Sequence, residues 1–209
     1  MPSLMPRKAP AWLTEPAVGV LSRLGVTPNM LTLFGVLGNV AAGVLAASGE
    51  FLAAGIVMLA FSALDFLDGA LARATGQATP FGSVFDAVLD CVSEAAVLFG
   101  LLWYFSDRGD RTEELLLFVA VVGSILVSYV RARAEIIGLK MREGVFTRTE
   151  RVVLIGGGLI IEGVGVDDAL TIVLWILAVL ASFTAAQRLG IVWWQTKGSV
   201  DGEPPVENH

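Results

Sequence analysis

Residues Asp65–Asp90 read DFLDGALARATGQATPFGSVFDAVLD and place four carboxylates, Asp65, Asp68, Asp86 and Asp90, inside otherwise apolar sequence. AAGIVMLAFSAL precedes the stretch and AAVLFGLLWYF follows it shortly after. Carboxylates at membrane depth are costly and mark functional sites. What neutralises these four charges therefore decides what the chain is for.

The surrounding composition sets the class. Of 209 residues, 55% are hydrophobic and 16% charged, with a mean hydropathy of +0.73. Long uncharged runs recur, so the fold class is an all-α integral membrane protein rather than a soluble domain. No repeat or low-complexity segment interrupts it. The net charge of -6 carries no indication of nucleic-acid binding, because in such a chain the sign of charge is sorted by membrane side. Cys91 is the sole cysteine, which excludes an intramolecular disulfide. The N-terminus, with Pro2, Pro6 and Pro10, lacks the apolar core of a cleavable signal peptide, so the first span is expected to act as its own membrane signal.

Six transmembrane helices are expected. Residues 1–10 form a Pro-rich basic tail, and 11–25 suit an amphipathic helix at the membrane interface. Thr27-Pro28-Asn29 opens the first span, 29–48. The second covers 51–73, a break follows from Thr75 to Pro80, and the third covers 81–105. SDRGDRTEE, 106–114, reads as a polar loop. The fourth span covers 115–139, REGVFTR forms a loop, and the fifth covers 150–165, where Gly156-Gly157-Gly158 allows close packing. Asp167-Asp168 is expected to cap the sixth, 169–194. The domain layout is a tail and interfacial helix over 1–25, a six-span domain over 26–196, and a polar tail over 197–209. Twelve of the fourteen Lys and Arg residues fall on the side that holds both termini; Arg108 and Arg111 fall on the other. The positive-inside rule then puts both termini, and the aspartates, on the cytoplasmic side of the cell membrane.

Asp65 and Asp68 are three apart and Asp86 and Asp90 four apart, so each pair shares a helical face. The two helices, joined by a short break, are expected to be antiparallel neighbours that bring all four carboxylates together. In low dielectric such a cluster needs cations. Carboxylates without His or Cys suit Mg²⁺, Mn²⁺ or Ca²⁺; two divalent ions would balance the charge and could grip a diphosphate. Gly69 and Ala72 leave space for a ligand near the backbone, and Arg73 adds a fixed cation. Gly82 and Thr79 each have a plain structural role open to them, as a packing glycine and a helix cap.

Asp65-x-x-Asp68-Gly69-x-x-Ala72-Arg73, eight residues, then Gly82-x-x-x-Asp86-x-x-x-Asp90 resembles the signature of the CDP-alcohol phosphatidyltransferases, and the six-span layout extends the resemblance over almost the whole chain. It implies a membrane enzyme that moves a phosphatidyl group from a CDP-linked lipid, CDP-diacylglycerol, to an alcohol and releases CMP. It further implies Asp65, Asp68 and Asp86 as ligands of two Mg²⁺ ions, with Mn²⁺ as a substitute, and Asp90 as both ligand and general base. Gly69, Ala72, Arg73 and Thr79, with Asn29 and Thr32, would hold the nucleotide and diphosphate, and the enzyme would be a homodimer.

SYVRARAE, TRTER and AAQRL carry Arg131, Arg133, Arg151 and Arg188. These stretches are similar to those of phosphatidylinositol-phosphate synthases and their archaeal archaetidylinositol-phosphate relatives. The similarity assigns the four arginines to the phosphate of inositol 1-phosphate, although Thr149 stands where Pro is expected. Glycerol 3-phosphate is the alternative acceptor. A membrane cation carrier is the alternative of another class; it explains intramembrane carboxylates but not Gly69, Ala72, Arg73 and Gly82 at fixed spacing.

Overall fold

The computed structural model describes residues 18–139, 141 and 146–197. The tail over 1–10, residues 11–17 of the interfacial helix expected over 11–25, Lys140, Arg142 and the tail beyond Lys197 lie outside them. Residues 18–23 are helical. Seven further helices follow: α1 (Pro28–Ala47), α2 (Phe51–Ser62), α3 (Leu64–Ala74), α4 (Pro80–Arg108), α5 (Arg111–Ile136), α6 (Arg148–Gly163) and α7 (Ala169–Lys197).

Local chemistry sets the helix starts. Thr27 caps α1, its Oγ1 accepting from Met30 N–H at 3.4 Å, and Pro28 occupies the first turn, where no N–H is needed. Thr79 and Pro80 do the same for α4, with Gly82 N–H donating to Thr79 Oγ1 at 3.0 Å. Thr147 and Glu150 form a capping box at the head of α6. One sequence expectation needs correction here. Most of SDRGDRTEE is helical: α4 runs to Arg108 and α5 starts at Arg111. Gly109, at φ 75°, makes the left-handed turn, and Asp110 N–H closes it on Phe105 O at 3.0 Å. Asp168 directly precedes α7, and its carbonyl accepts from Ile172 N–H at 3.1 Å. Glu162, at the end of α6, accepts from Leu170 N–H at 3.0 Å.

The second expected span is two helices, α2 and α3, separated at Ala63. Among the described residues, four stretches are long and apolar enough to cross a bilayer: α1, Phe51–Ala74, α5 and α7. Of the other two, α4 has 29 residues but carries Asp86, Asp90 and Glu94, and α6 has only 16 residues, about 24 Å of helix. The exterior is apolar, with Phe34, Phe99, Trp103, Phe118 and Phe183 exposed, as a lipid-facing surface requires. Met58, Leu98, Leu101, Leu117, Ile155, Leu159 and Leu174 are fully buried between the helices.

α1 packs most extensively on α4, α5 on α7, and α2 on α6. α1 and α4 run parallel, since Asn29 lies beside Gly82 at one end and Gly43 beside Ala96 and Gly100 at the other. Their backbones touch there: a Cβ on Gly100 would sit 2.0 Å from Gly43 O, and one on Gly43 2.4 Å from Ala96 O. Glycine at both positions is what permits this approach. Gly100→Ala is expected to cost about 1–3 kcal/mol by overpacking and to lower the thermal midpoint in detergent. Gly157→Ala, where nothing lies within 4 Å, should be neutral or slightly stabilising.

Candidate active site

One face of α1 is the platform for the first aspartate pair. Thr32 Oγ1 donates to Asp68 Oδ2 at 2.8 Å, and both residues are buried. One turn on, Gly35 lies so close to Asp65 that an added Cβ would be 3.0 Å from Oδ1. Another turn on, Asn39 Nδ2 donates to Gly35 O at 2.9 Å, and Ser62 Oγ donates to Asn39 Oδ1 at 3.3 Å. Ser62 is the last residue of α2, so this bond ties α1 to the break from which α3 and its aspartates start. Gly38 completes the seam; a Cβ there would overlap the Phe61 ring.

Asp86 and Asp90 are half-buried on α4. The expectation that α3 and α4 pack on each other needs correction: they touch only slightly, and α1 is the neighbour that both share. The four aspartates still act on one another electrostatically, Asp68 with Asp65 and Asp86, and Asp90 with all three others. The gap has a physical reason. Unscreened carboxylates cannot be brought into contact, and space must remain between them for cations and a ligand.

A side chain that spacing alone did not single out fills the cationic role. Arg148, the first residue of α6, places Nη1 2.8 Å from Asp65 Oδ2 and 2.6 Å from Asp90 Oδ1. Glu94 is the second such residue. Its carboxylate accepts from Arg151 Nε and Nη2, each at 2.7 Å, with both side chains buried. The signal for both was in the sequence. Glu94 continues the four-residue stripe Asp86, Asp90, Glu94, and an intramembrane Glu needs a partner. Arg148 and Arg151 supply two cations at helical spacing.

The other expected residues are placed as follows. Arg73 is exposed at the end of α3 and folds back over Gly69, with Nη1 3.3 Å from where a Cβ would be. Ala72 is half-buried beside it. Asn29, Thr79 and Gly82 gather where the N-termini of α1 and α4 meet; paired helix N-termini present N–H groups suited to phosphate oxygens. Each of the acceptor arginines has a partner within the protein. Arg131 is exposed and pairs with Glu135 at 2.9 Å. Arg133 donates to Tyr129 Oη at 2.9 Å, Arg151 is engaged by Glu94, and Arg188 is buried, with Nη1 donating to Val127 O at 2.7 Å.

The donor set fits hard divalent cations in its chemistry, being carboxylate oxygen throughout and already drawing a cation at Asp65 and Asp90. In this arrangement no three carboxylates among the described residues form a cage around a single ion; the Arg148 guanidinium stands against two of them.

These features define a class: a helical membrane protein with a carboxylate–guanidinium centre on the helices that bear the shared aspartate motif. The family model for CDP-alcohol phosphatidyltransferase matches residues 25–194. The chain is 37% identical to the phosphatidylinositol phosphate synthase of Mycobacteroides abscessus over 195 residues, 92% of this chain and 89% of that one. The crystal structure of Mycobacterium tuberculosis phosphatidylinositol phosphate synthase with CDP-DAG bound matches with a TM-score of 0.82 at 36% identity, covering 88% of this chain and 94% of that one. The structure of the same enzyme with manganese and citrate gives a TM-score of 0.81 at 36% identity, with 86% and 88% covered. The chain belongs to the CDP-alcohol phosphatidyltransferase family and is an enzyme of that kind, which sets aside the cation carrier.

The Thr32–Asp68 bond yields a test. Hydrogen bonds to a charged group contribute about 1.5–3 kcal/mol, so Thr32→Val is expected to lower turnover by roughly tenfold or more. A thermal midpoint measured alongside should move by much less than that of Gly100→Ala.

Proposed function

We propose that this enzyme transfers the phosphatidyl group of CDP-diacylglycerol to inositol 1-phosphate and releases CMP. The observation that carries this is the aspartate motif seated on α1 in a chain that matches, over most of its length, a synthase solved with CDP-DAG bound. The named relatives make phosphatidylinositol phosphate, which favours inositol 1-phosphate over glycerol 3-phosphate.

In this proposal Asp65, Asp68, Asp86 and Asp90 hold two Mg²⁺ ions, for which Mn²⁺ can substitute. When bound, they neutralise charge on the diphosphate and on departing CMP. Thr32 orients Asp68. Asn29, Thr79, Gly69, Ala72 and Arg73 border the nucleotide and diphosphate, with Arg73 placed to pair with a phosphate oxygen. The acceptor hydroxyl attacks the lipid-side phosphorus, its proton passes to Asp90, and the bond from that phosphorus to the CMP oxygen breaks. Arg131, Arg133 and Arg188 are proposed for the acceptor phosphate. Arg151 is committed to Glu94 as the structure stands.

Inositol 1-phosphate is close to a dianion at neutral pH, and inositol is uncharged. Arginines drawn onto an acceptor phosphate in a partly desolvated site gain no such charge from inositol, a difference of several kcal/mol. A panel with purified enzyme, Mg²⁺ and CDP-diacylglycerol should give CMP release with inositol 1-phosphate and almost none with inositol. Good use of glycerol 3-phosphate without inositol 1-phosphate would move the product to phosphatidylglycerol phosphate. Asp86→Asn and EDTA should each abolish turnover. Asp90→Asn should abolish it while CDP-lipid binding is partly kept.

The same proposal extends to layout: a domain over 26–196 of six spans, counting α4 and α6, flanked by an interfacial segment over 1–25 and a cytoplasmic tail over 197–209, in a homodimer. The parallel course of α1 and α4 supports it, since first and third spans share a direction, and so does the charge bias of twelve to two. With Cys91 replaced, cysteines at Ser199 and Ser106 should label from opposite faces; labelling of both from one face would refute the six-span layout.

A further inference from the structure

Glu94 stands one turn beyond Asp90 on α4, and Arg151 one turn beyond Arg148 on α6. The two helices make no extensive packing contact. Two ionic rungs join them instead: Asp90–Arg148 at 2.6 Å and Glu94–Arg151 through two bonds of 2.7 Å. The rungs differ in exposure. The Arg148 and Asp90 side chains are 24% and 22% exposed, those of Arg151 and Glu94 only 3% and 5%. A forked, doubly hydrogen-bonded pair in a dry interior is rigid, and breaking it leaves a buried charge without compensation. The outer rung borders the space where substrate phosphates must enter, so it has to exchange partners. The inner rung satisfies the charges of both its partners and has no such reason to open.

We propose that Glu94 is a positioning residue of the transfer site. Holding Arg151 by both N–H groups, it fixes the head of α6 against α4, so that Arg148 faces Asp65 and Asp90. This rests on the site assigned under the proposed function and adds a residue outside the aspartate motif. It also gives the two arginines of TRTER different tasks: Arg151 anchors, and Arg148 serves the reaction centre. Arg148 occupies the side of Asp65 and Asp90 on which a divalent cation competes. It is therefore a built-in counter-ion whose hold on those carboxylates sets how tightly metal binds.

The test uses full-length protein in detergent with Mn²⁺ as probe, its affinity read by electron paramagnetic resonance, beside steady-state kinetics. Arg148→Ala should bind Mn²⁺ about tenfold more tightly, because a guanidinium no longer competes for the carboxylates. Glu94→Met combined with Arg151→Met replaces the pair by apolar side chains of similar volume, a change that membrane-buried pairs can tolerate. It should keep its thermal midpoint yet bind Mn²⁺ several-fold more tightly. Its KM for inositol 1-phosphate should rise, or its kcat fall, by tenfold or more, with the KM for CDP-diacylglycerol nearly unchanged. Glu94→Gln, which keeps one hydrogen-bonding oxygen but strands the Arg151 charge, should lower the thermal midpoint and shift the Mn²⁺ affinity and the KM for inositol 1-phosphate in the same direction by less, with the KM for CDP-diacylglycerol nearly unchanged, and it serves alone if the double variant does not fold. Wild-type Mn²⁺ affinity and kinetics in the double variant would overturn the proposal, as would unchanged Mn²⁺ affinity in Arg148→Ala. A parallel loss for both substrates with a fallen thermal midpoint would reduce Glu94 to a structural part and equally overturn it. If wild-type enzyme does not use inositol 1-phosphate, the acceptor assignment fails, while the Mn²⁺ affinities still decide the role of Glu94.

Discussion

A carboxylate cannot remain ionised inside a membrane protein unless something of opposite charge or a strong donor stands against it. Among the described residues, four acidic side chains of the interior meet that demand, each in its own way. Asp68 receives the Thr32 hydroxyl, Asp65 and Asp90 share Arg148, and Glu94 takes the fork of Arg151. The helix arrangement follows from these pairings as much as from apolar packing. α3 and α4 stay apart because their charges forbid contact, and α1 and α6 approach because they bring the groups that compensate.

α1 organises the rest. One face of it offers in turn a hydroxyl for Asp68, a glycine that admits Asp65, and an amide for Ser62 at the end of α2. Further along the same side of α1 the contact is with α4, backbone against backbone at Gly43 and Gly100. The two aspartate-bearing helices thus take their positions from a third element that contributes no carboxylate. Where Asp65 and Asp86 stand relative to each other is set by the residues of α1 that let its two neighbours come close.

Much of this was legible in the sequence because it is encoded by short-range rules. Thr-Pro starts, the helical spacing of the aspartates and the apolar helical segments each depend on residues within a few positions. The motif itself gave the family. Other features depend on contacts between distant residues, which periodicity does not report. Ala63 splits what reads as one apolar run, and the turn after Arg108 is far tighter than nine polar residues suggest, because Arg108 suits a helix C-terminus and Glu113 a helix N-terminus as readily as a loop. The partners of Arg148 and Arg151 lie 57 or more residues away in sequence, so the arginine-bearing segment could be recognised without showing which arginine was spent on holding the fold. Convergence of Arg131, Arg133, Arg151 and Arg188 was inferred from likeness of sequence, and each has a separate partner in the structure.

The glycine contact between α1 and α4 restricts how the pair can move. Sliding along the common axis would drive the Gly43 carbonyl into the backbone around Gly100, so translation is blocked. Rotation about that contact is not, and its effect grows with distance from the pivot. The soft coordinate of the pair is therefore a splaying of the ends that carry Asn29 and Thr79, with the opposite ends held still. Small torsions of two stiff rods then suffice to widen or narrow the space between those ends, with no loop involved.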